Sequence, residues 1–183
     1  MSDGREYPSV PRVGVGAVVL DARPREAYLL GHVPGAVSAP PASLQDLPGA
    51  AAAFGRLGLS GGERIVVCGG DPRLADAAPL FWLLEASGAE RAAVLAGGVP
   101  AWTEAGGPLE AGDVTPRAGE WSSAPDHGRL AAADHVETVY GETGHELIDT
   151  RGWDVWEGEP AEAGASAPAA RTGHIPHALP YDF

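Results

Sequence analysis

One short phrase occurs twice in this chain, and no other feature limits its fold so tightly. Asp21-Ala22-Arg23 leads to Gly31-His32-Val33-Pro34-Gly35-Ala36, and Asp149-Thr150-Arg151 leads to Gly173-His174-Ile175-Pro176-His177-Ala178. Each phrase follows an apolar run, one reaching Leu20 and a shorter one reaching Ile148, so the acid and the arginine fall where a strand ends. A repeated supersecondary unit implies two related domains rather than one large one.

The residues between the phrases alternate between strand and helix patterns. Val13 to Leu20 reads as a buried strand, Arg25 to Leu30 after Pro24 as a short helix closed by Gly31, and Ala36 to Ser38 as a second strand. Ser43 to Leu57 carries helical spacing behind a serine cap, and Arg64 to Val67 is apolar enough for a strand covered on both faces. A long helix is expected from Pro72 or Arg73 to Ala86, then a strand over Arg91 to Leu95 and a short helix over Val99 to Glu104. Gly106 to His127 reads as a linker that Trp121 pins to a domain face. Beyond it come a helix over Leu130 to Tyr140, a strand over Glu146 to Asp149, and a surface loop from Trp153 to Thr172. Strands alternating with helices in this order predict an α/β sandwich with a mostly parallel central sheet.

Composition removes several functions. The formal charge of −13 opposes binding to nucleic acid or to an anionic membrane, both of which need clustered cations. All 12 cationic residues are arginine, which excludes a phosphate-loop or Schiff-base lysine. Cys68 is the only cysteine, so an internal disulfide and a thiolate zinc cage are excluded and a reducing, cytoplasmic setting is expected. No stretch has the length of a membrane span. His174 and His177 have metal-like spacing but lack a carboxylate ligand and a helical context, so no metal is expected, and no cofactor. Trp82, Trp102, Trp153 and Trp156 are expected in the core or at a domain interface because of their large apolar area.

The repeated phrase resembles the opening of a rhodanese (sulfurtransferase) domain. That likeness continues through Ile65-Val66-Val67-Cys68, at the place of the family's active-site cysteine, and through Val94-Leu95-Ala96-Gly97-Gly98-Val99-Pro100-Ala101-Trp102. The resemblance implies a complete rhodanese-like domain over residues 10–110, a linker over 111–128 and a truncated second copy over 129–183. Its fold would be the rhodanese-like α/β sandwich, a mostly parallel sheet flanked by helices. A half-finished second sheet would expose apolar faces and invite self-association.

Cys68 stands at the carboxyl end of a strand and before a helix, where open α/β sheets place ligands. Gly69, Gly70, Asp71, Pro72 and Arg73 can curl so that backbone amides face the sulfur, with Arg73 as an oxyanion-holding cation. Asp71 and Pro72 work against this, the first by like charge beside a thiolate and the second by removing an N–H. Four residues separate Cys68 from Arg73, and the resemblance implies that a loop this short holds a persulfide rather than a phosphate. Asp21, Arg23 and His32 are read as supporting residues, and Arg151 as a contact for an anionic substrate. The implied activity moves sulfane sulfur from an anionic donor, thiosulfate or 3-mercaptopyruvate, through a Cys68 persulfide to a thiol or cyanide acceptor. The alternative is a noncatalytic binding or support module in which Cys68 is a small core residue.

Overall fold

Ala17–Asp21 forms β1, an inner strand of a four-stranded sheet in the computed structural model, which describes residues 16–44, 47–158 and 173–181. Val37–Ser38 is β2, Arg64–Cys68 is β3 and Ala92–Val94 is β4, in the spatial order β2-β1-β3-β4. Every pairing is parallel, and the register sets Leu20 beside Val67 and Asp21 beside Cys68. Parallel neighbours need crossovers, which α1 (Arg25–Leu30), α2 (Leu47–Arg56) and α3 (Ala78–Ala86) help provide, and α4 (Gly98–Glu104) follows β4. The result is the α/β sandwich with a parallel sheet that the order of elements predicts. Val13 to Val15, expected at the start of β1, lie outside the described residues.

The two-residue period of a strand divides the core in two. Leu20, Ile65 and Val67 face Ala50 and Phe54 of α2 and Leu80, Leu83 and Leu84 of α3. Val19 and Cys68 face the other way, onto Val33, Ala36, Leu95 and Val99, with Trp102 of α4 packed alongside. Each fully buried leucine contributes roughly 1.5–3 kcal/mol through its lost contact with water. Alternation therefore points the Cys68 side chain into the second, smaller apolar cluster.

Two helices begin later than their apolar spacing suggests, for one reason. Pro48 and Pro79 each fit only a first helical turn, because proline lacks an N–H and clashes with the preceding turn. Hence α2 starts at Leu47 and not at Ser43, whose hydroxyl donates to the Pro40 carbonyl from a 3-10 turn, Pro41–Ser43. Likewise α3 starts at Ala78, and residues 72–77 lie outside any helix. Leu74 takes a left-handed φ of 66° there, incompatible with a helix running from Pro72.

The segment expected as a linker runs along the first unit as a strap. His32 and Glu110 exchange backbone hydrogen bonds of 2.8 and 2.9 Å, Val114 N–H donates to the Tyr28 hydroxyl, and Gly119 N–H donates to the Gly55 carbonyl. Trp121 packs on Phe54 with ring centroids 4.9 Å apart and donates from Nε1 to the Ser87 carbonyl. Gly58 needs its left-handed φ of 85°, and a Cβ there would meet the Arg117 carbonyl oxygen at 2.7 Å.

The described chain divides into two units, one ending at Leu130 and the other beginning at Ala131. In the second, α5 (Ala133–Val139) precedes β5 (Ile148–Asp149), α6 (Trp153–Glu157) and β6 (Leu179–Pro180), and β5 and β6 pair in parallel. The start of the expected Trp153–Thr172 loop is thus helical, while residues 159–172 of it lie outside the described residues. Ile148, Leu179 and Tyr181 are all more than half exposed in this unit. Trp82 and Trp153, expected in the core or at a domain interface, are not core residues: they are exposed at 40% and 48%, and Trp82 donates from Nε1 to the Arg129 carbonyl.

Candidate functional site

The carboxyl ends of β1 and β3 bring together Asp21, Arg23 and Cys68. Asp21 is fully buried, and Arg23 closes over it: Nε lies 2.9 and 3.1 Å from the two carboxylate oxygens and Nη2 lies 2.6 Å from Oδ2. The Arg23 backbone N–H also donates to Asp21 Oδ1, and Nη2 donates to the Gly31 carbonyl. These bonds to Asp21 raise the guanidinium pKa despite partial burial. His32 is fully buried, with its ring stacked 4.1 Å from Tyr28 and Nδ1 at 3.1 Å from the Tyr28 carbonyl oxygen. All three residues are held by local contacts around the turn, and His32 Nε2 is buried there with no hydrogen-bond partner among the described residues.

Cys68 is fully buried among hydrocarbon side chains, Val19, Val33, Ala36, Leu95 and Val99. Burial is the main cause that pushes its thiol up to about 12, Asp21 and Asp76 push it further in the same direction, and Arg23 opposes them. At neutral pH the sulfur is an uncharged thiol.

The loop after Cys68 does curl, but around a different group. Gly70 N–H donates to Asp76 Oδ2 at 2.6 Å, and Asp71 N–H reaches Asp76 Oδ1 at 3.4 Å. Arg73 N–H donates to the Asp71 carboxylate at 2.8 Å, and Pro72 has no N–H to offer. So the amides of Gly70, Asp71 and Arg73 are committed to carboxylates of the same loop. The Arg73 side chain is exposed, in contrast to the buried thiol. The Gly97-Gly98 turn presses close from the side: Val99 N–H donates to the Gly69 carbonyl, and a Cβ on Gly98 would meet that oxygen at 2.3 Å.

Sequence reasoning missed Asp76, because it was assigned to the helix. A signal was present in Pro79, which places residues 72–77 in the loop and lets their side chains turn back onto it.

Arg151 sits in the second unit and repeats the geometry of Arg23. Its Nε lies 2.9 and 3.2 Å from the Asp149 oxygens, and Nη2 donates to Asp149 Oδ2 at 2.6 Å and to the Gly173 carbonyl at 2.8 Å. Hydrogen bonding from Arg151 holds Asp149 down to about 2. His174 stacks on Trp156 at 3.9 Å, with Nδ1 at 2.8 Å from the Trp156 carbonyl oxygen. Asp149, Arg151 and His174 line a cleft of about 540 Å³ within this unit. Among the described residues no group of three or more His, Cys, Asp or Glu side chains is arranged to hold a metal ion. No described helix is long and apolar enough to cross a membrane.

A parallel sheet with an Asp-x-Arg turn, a buried Gly-His-x-Pro turn and a cysteine ending the central strand matches the rhodanese-like domain over residues 12–105. The chain belongs to the rhodanese-like family. Likeness to curated rhodaneses extends into the second unit. SseB of Mycobacterium tuberculosis, provisionally named a thiosulfate sulfurtransferase, is 34% identical over 175 residues, covering 84% of this chain and 57% of SseB. The 3-mercaptopyruvate sulfurtransferase of Escherichia coli K12 is 29% identical over 170 residues, covering 87% of this chain and 59% of that enzyme. Among solved rhodanese folds, SseA from Escherichia coli, described as a 3-mercaptopyruvate sulfotransferase, superposes with a TM-score of 0.72 at 25% identity, covering 90% of this chain and 68% of SseA. The chain therefore spans less than two thirds of the length of the curated relatives named here.

Proposed function

We propose that this chain serves a thiosulfate sulfurtransferase-like transferase, with its first unit acting as the supporting rhodanese domain. The reaction moves a sulfane sulfur from a small anionic donor, thiosulfate or 3-mercaptopyruvate, to a thiol or cyanide acceptor. With thiosulfate, a cysteine thiolate attacks the outer sulfur, the S–S bond breaks and sulfite leaves with the bonding pair. The acceptor then takes the sulfur from the persulfide and returns the thiolate. Neither step requires a metal or an organic cofactor. A reducing, cytoplasmic compartment suits an unpaired thiol.

The observation that carries the supporting role is the seat of Cys68, a neutral thiol sealed in hydrocarbon with its pKa pushed up to about 12. Nucleophilic cysteines sit in exposed, electropositive settings with lowered pKa values, the opposite on both counts. In this reading the sulfur carrier is a cysteine other than Cys68. Unit 2 is the second rhodanese-type copy, and Arg151 attracts the donor from its half-exposed position. Asp149 and Gly173 engage Nε and Nη2, and among the described residues Nη1 has no hydrogen-bond partner, so it is open to an anion.

A second reading makes Cys68 the sulfur carrier, favoured by Arg23, whose charge acts to lower the thiol pKa. Peptide mass spectrometry after thiosulfate treatment separates the two. The supporting role predicts no change at Cys68. A cyanide-removable adduct of about 32 Da on Cys68 of the folded chain, absent in Cys68→Ser, contradicts it. In the assembled transferase, Cys68→Ser is expected to leave kcat unchanged, and Arg151→Ala to raise KM for thiosulfate.

A further inference from the structure

We propose that Asp76 is an autoinhibitory contact: its carboxylate occupies the amide cradle of the Cys68–Arg73 loop as an internal anion, so a small oxyanion enters only where Asp76 leaves. The inference rests on the reading of unit 1 as the supporting domain and names what keeps its loop from binding a donor. Successive backbone N–H groups in a turn form a concavity that attracts anions. Here the amides of Gly70 and Asp71 point at the two oxygens of one carboxylate.

Three features of the loop are fitted to that carboxylate. Leu74 adopts a left-handed φ of 66° between the cradle and Asp76, a conformation that side chains of its kind rarely take, and the chain reverses there so that Asp76 points back. Gly69 leaves the necessary space, since a Cβ there would lie 2.1 Å from Asp76 Oδ1. Gly70 brings the cradle against Arg23, where a Cβ would meet the arginine's Cδ at 3.1 Å, so the guanidinium that neutralises Asp21 also lies beside the cradle. Asp76 is only part-buried, which leaves solvent anions able to contest its place.

The test uses the full chain with Asp76→Ala, followed by thermal unfolding in thiosulfate, in sulfate and in chloride at matched ionic strength. A ligand that binds only the folded state raises its stability by mass action. Sulfate and thiosulfate stabilise any folded chain over chloride by exclusion from its surface, so the reading is the difference between proteins. The gain of the variant in thiosulfate or sulfate over chloride is expected to exceed that of the unsubstituted chain by about 3 °C or more. A gain in the folded variant no larger than that of the unsubstituted chain overturns the proposal. Should Asp76→Ala fail to fold, Asp76→Asn carries the test, since it keeps the shape and removes the charge. Iodoacetamide labelling of its Cys68 faster than in the unsubstituted chain by about tenfold supports the contact, and an unchanged rate overturns it. A persulfide on Cys68 of the unsubstituted chain would instead overturn the supporting-domain reading, and it leaves the contact standing if Asp76→Ala forms that persulfide faster.

Discussion

The two copies of the Asp-x-Arg turn share bonds but not surroundings. In each, arginine Nε and Nη2 clasp both oxygens of the carboxylate two residues earlier, and Nη2 also reaches the carbonyl of the glycine before the histidine. In each, that histidine stacks on an aromatic ring and meets its carbonyl oxygen through Nδ1. Even the ring's second duty is kept: the Tyr28 hydroxyl donates to the Ala36 carbonyl, and Trp156 Nε1 donates to the Ala178 carbonyl. Yet the side chain of Arg23 is 12% exposed and that of Arg151 is 48% exposed. One set of contacts is thus structural cement in the first unit and an accessible cationic surface in the second. Burial, not bonding pattern, separates the two copies.

The comparison is broken most severely by removing Arg23. Arg23→Ala leaves the fully buried Asp21 carboxylate without its cation, and first-unit stability in urea is expected to fall by about 3–5 kcal/mol. Next in size is the strap along the first unit. Trp121→Ala removes the ring from Phe54 and a hydrogen bond to Ser87, with an expected loss of about 2–3 kcal/mol in the same measurement.

Cys68 sharpens the contrast through pH. Its folded pKa lies above the unfolded value, so its contribution is complete below the ordinary thiol pKa of about 8.5 and is lost as pH rises toward about 12. Between those limits first-unit stability is expected to fall by about 1.4 kcal/mol more per pH unit than in Cys68→Ala. Parallel slopes for the two proteins would place the thiol in water. The smallest effect is expected from Arg151→Ala, which should shift second-unit unfolding far less than Arg23→Ala shifts the first. Asp149 has a depressed pKa, so in the unsubstituted chain its carboxylate should stay ionised until pH falls to about 2, and in Arg151→Ala it should titrate near the usual value, as followed by carboxyl carbon NMR.

Much of this was legible in the sequence because it is local. The Asp-x-Arg clasp spans two residues in both copies, and the Gly-His-x-Pro turn follows 8 residues after Arg23 and 22 after Arg151, so the repeat is read from the residues themselves rather than from their spacing. The continuous apolar character of Arg64 to Val67 points to the strand but not to the meaning of the cysteine that ends it. The cysteine's side of the sheet follows from counting back to Ile65, and the depth of its burial depends on Leu95 and Val99, which arrive from elsewhere in the chain. Proline set the starts of α2 and α3 against apolar spacing, and that error hid Asp76. In the strap, Gly119 and Ser122 look like linker residues by composition, and only their long-range bonds to Gly55 and Ser60 reveal that they are fastened. The five-residue α6 is too short for periodicity to announce, and it shows itself only as the counterpart of α1.

The central claim is that Cys68 of the folded chain is a sealed, protonated thiol, and pH-dependent alkylation tests it most directly. Iodoacetamide labelling of Cys68 should stay slow in the folded chain and show no thiolate inflection at neutral or mildly alkaline pH, while the urea-unfolded chain titrates near 8.5. Rapid labelling of the folded chain with an inflection at or below about 8.5 would contradict it.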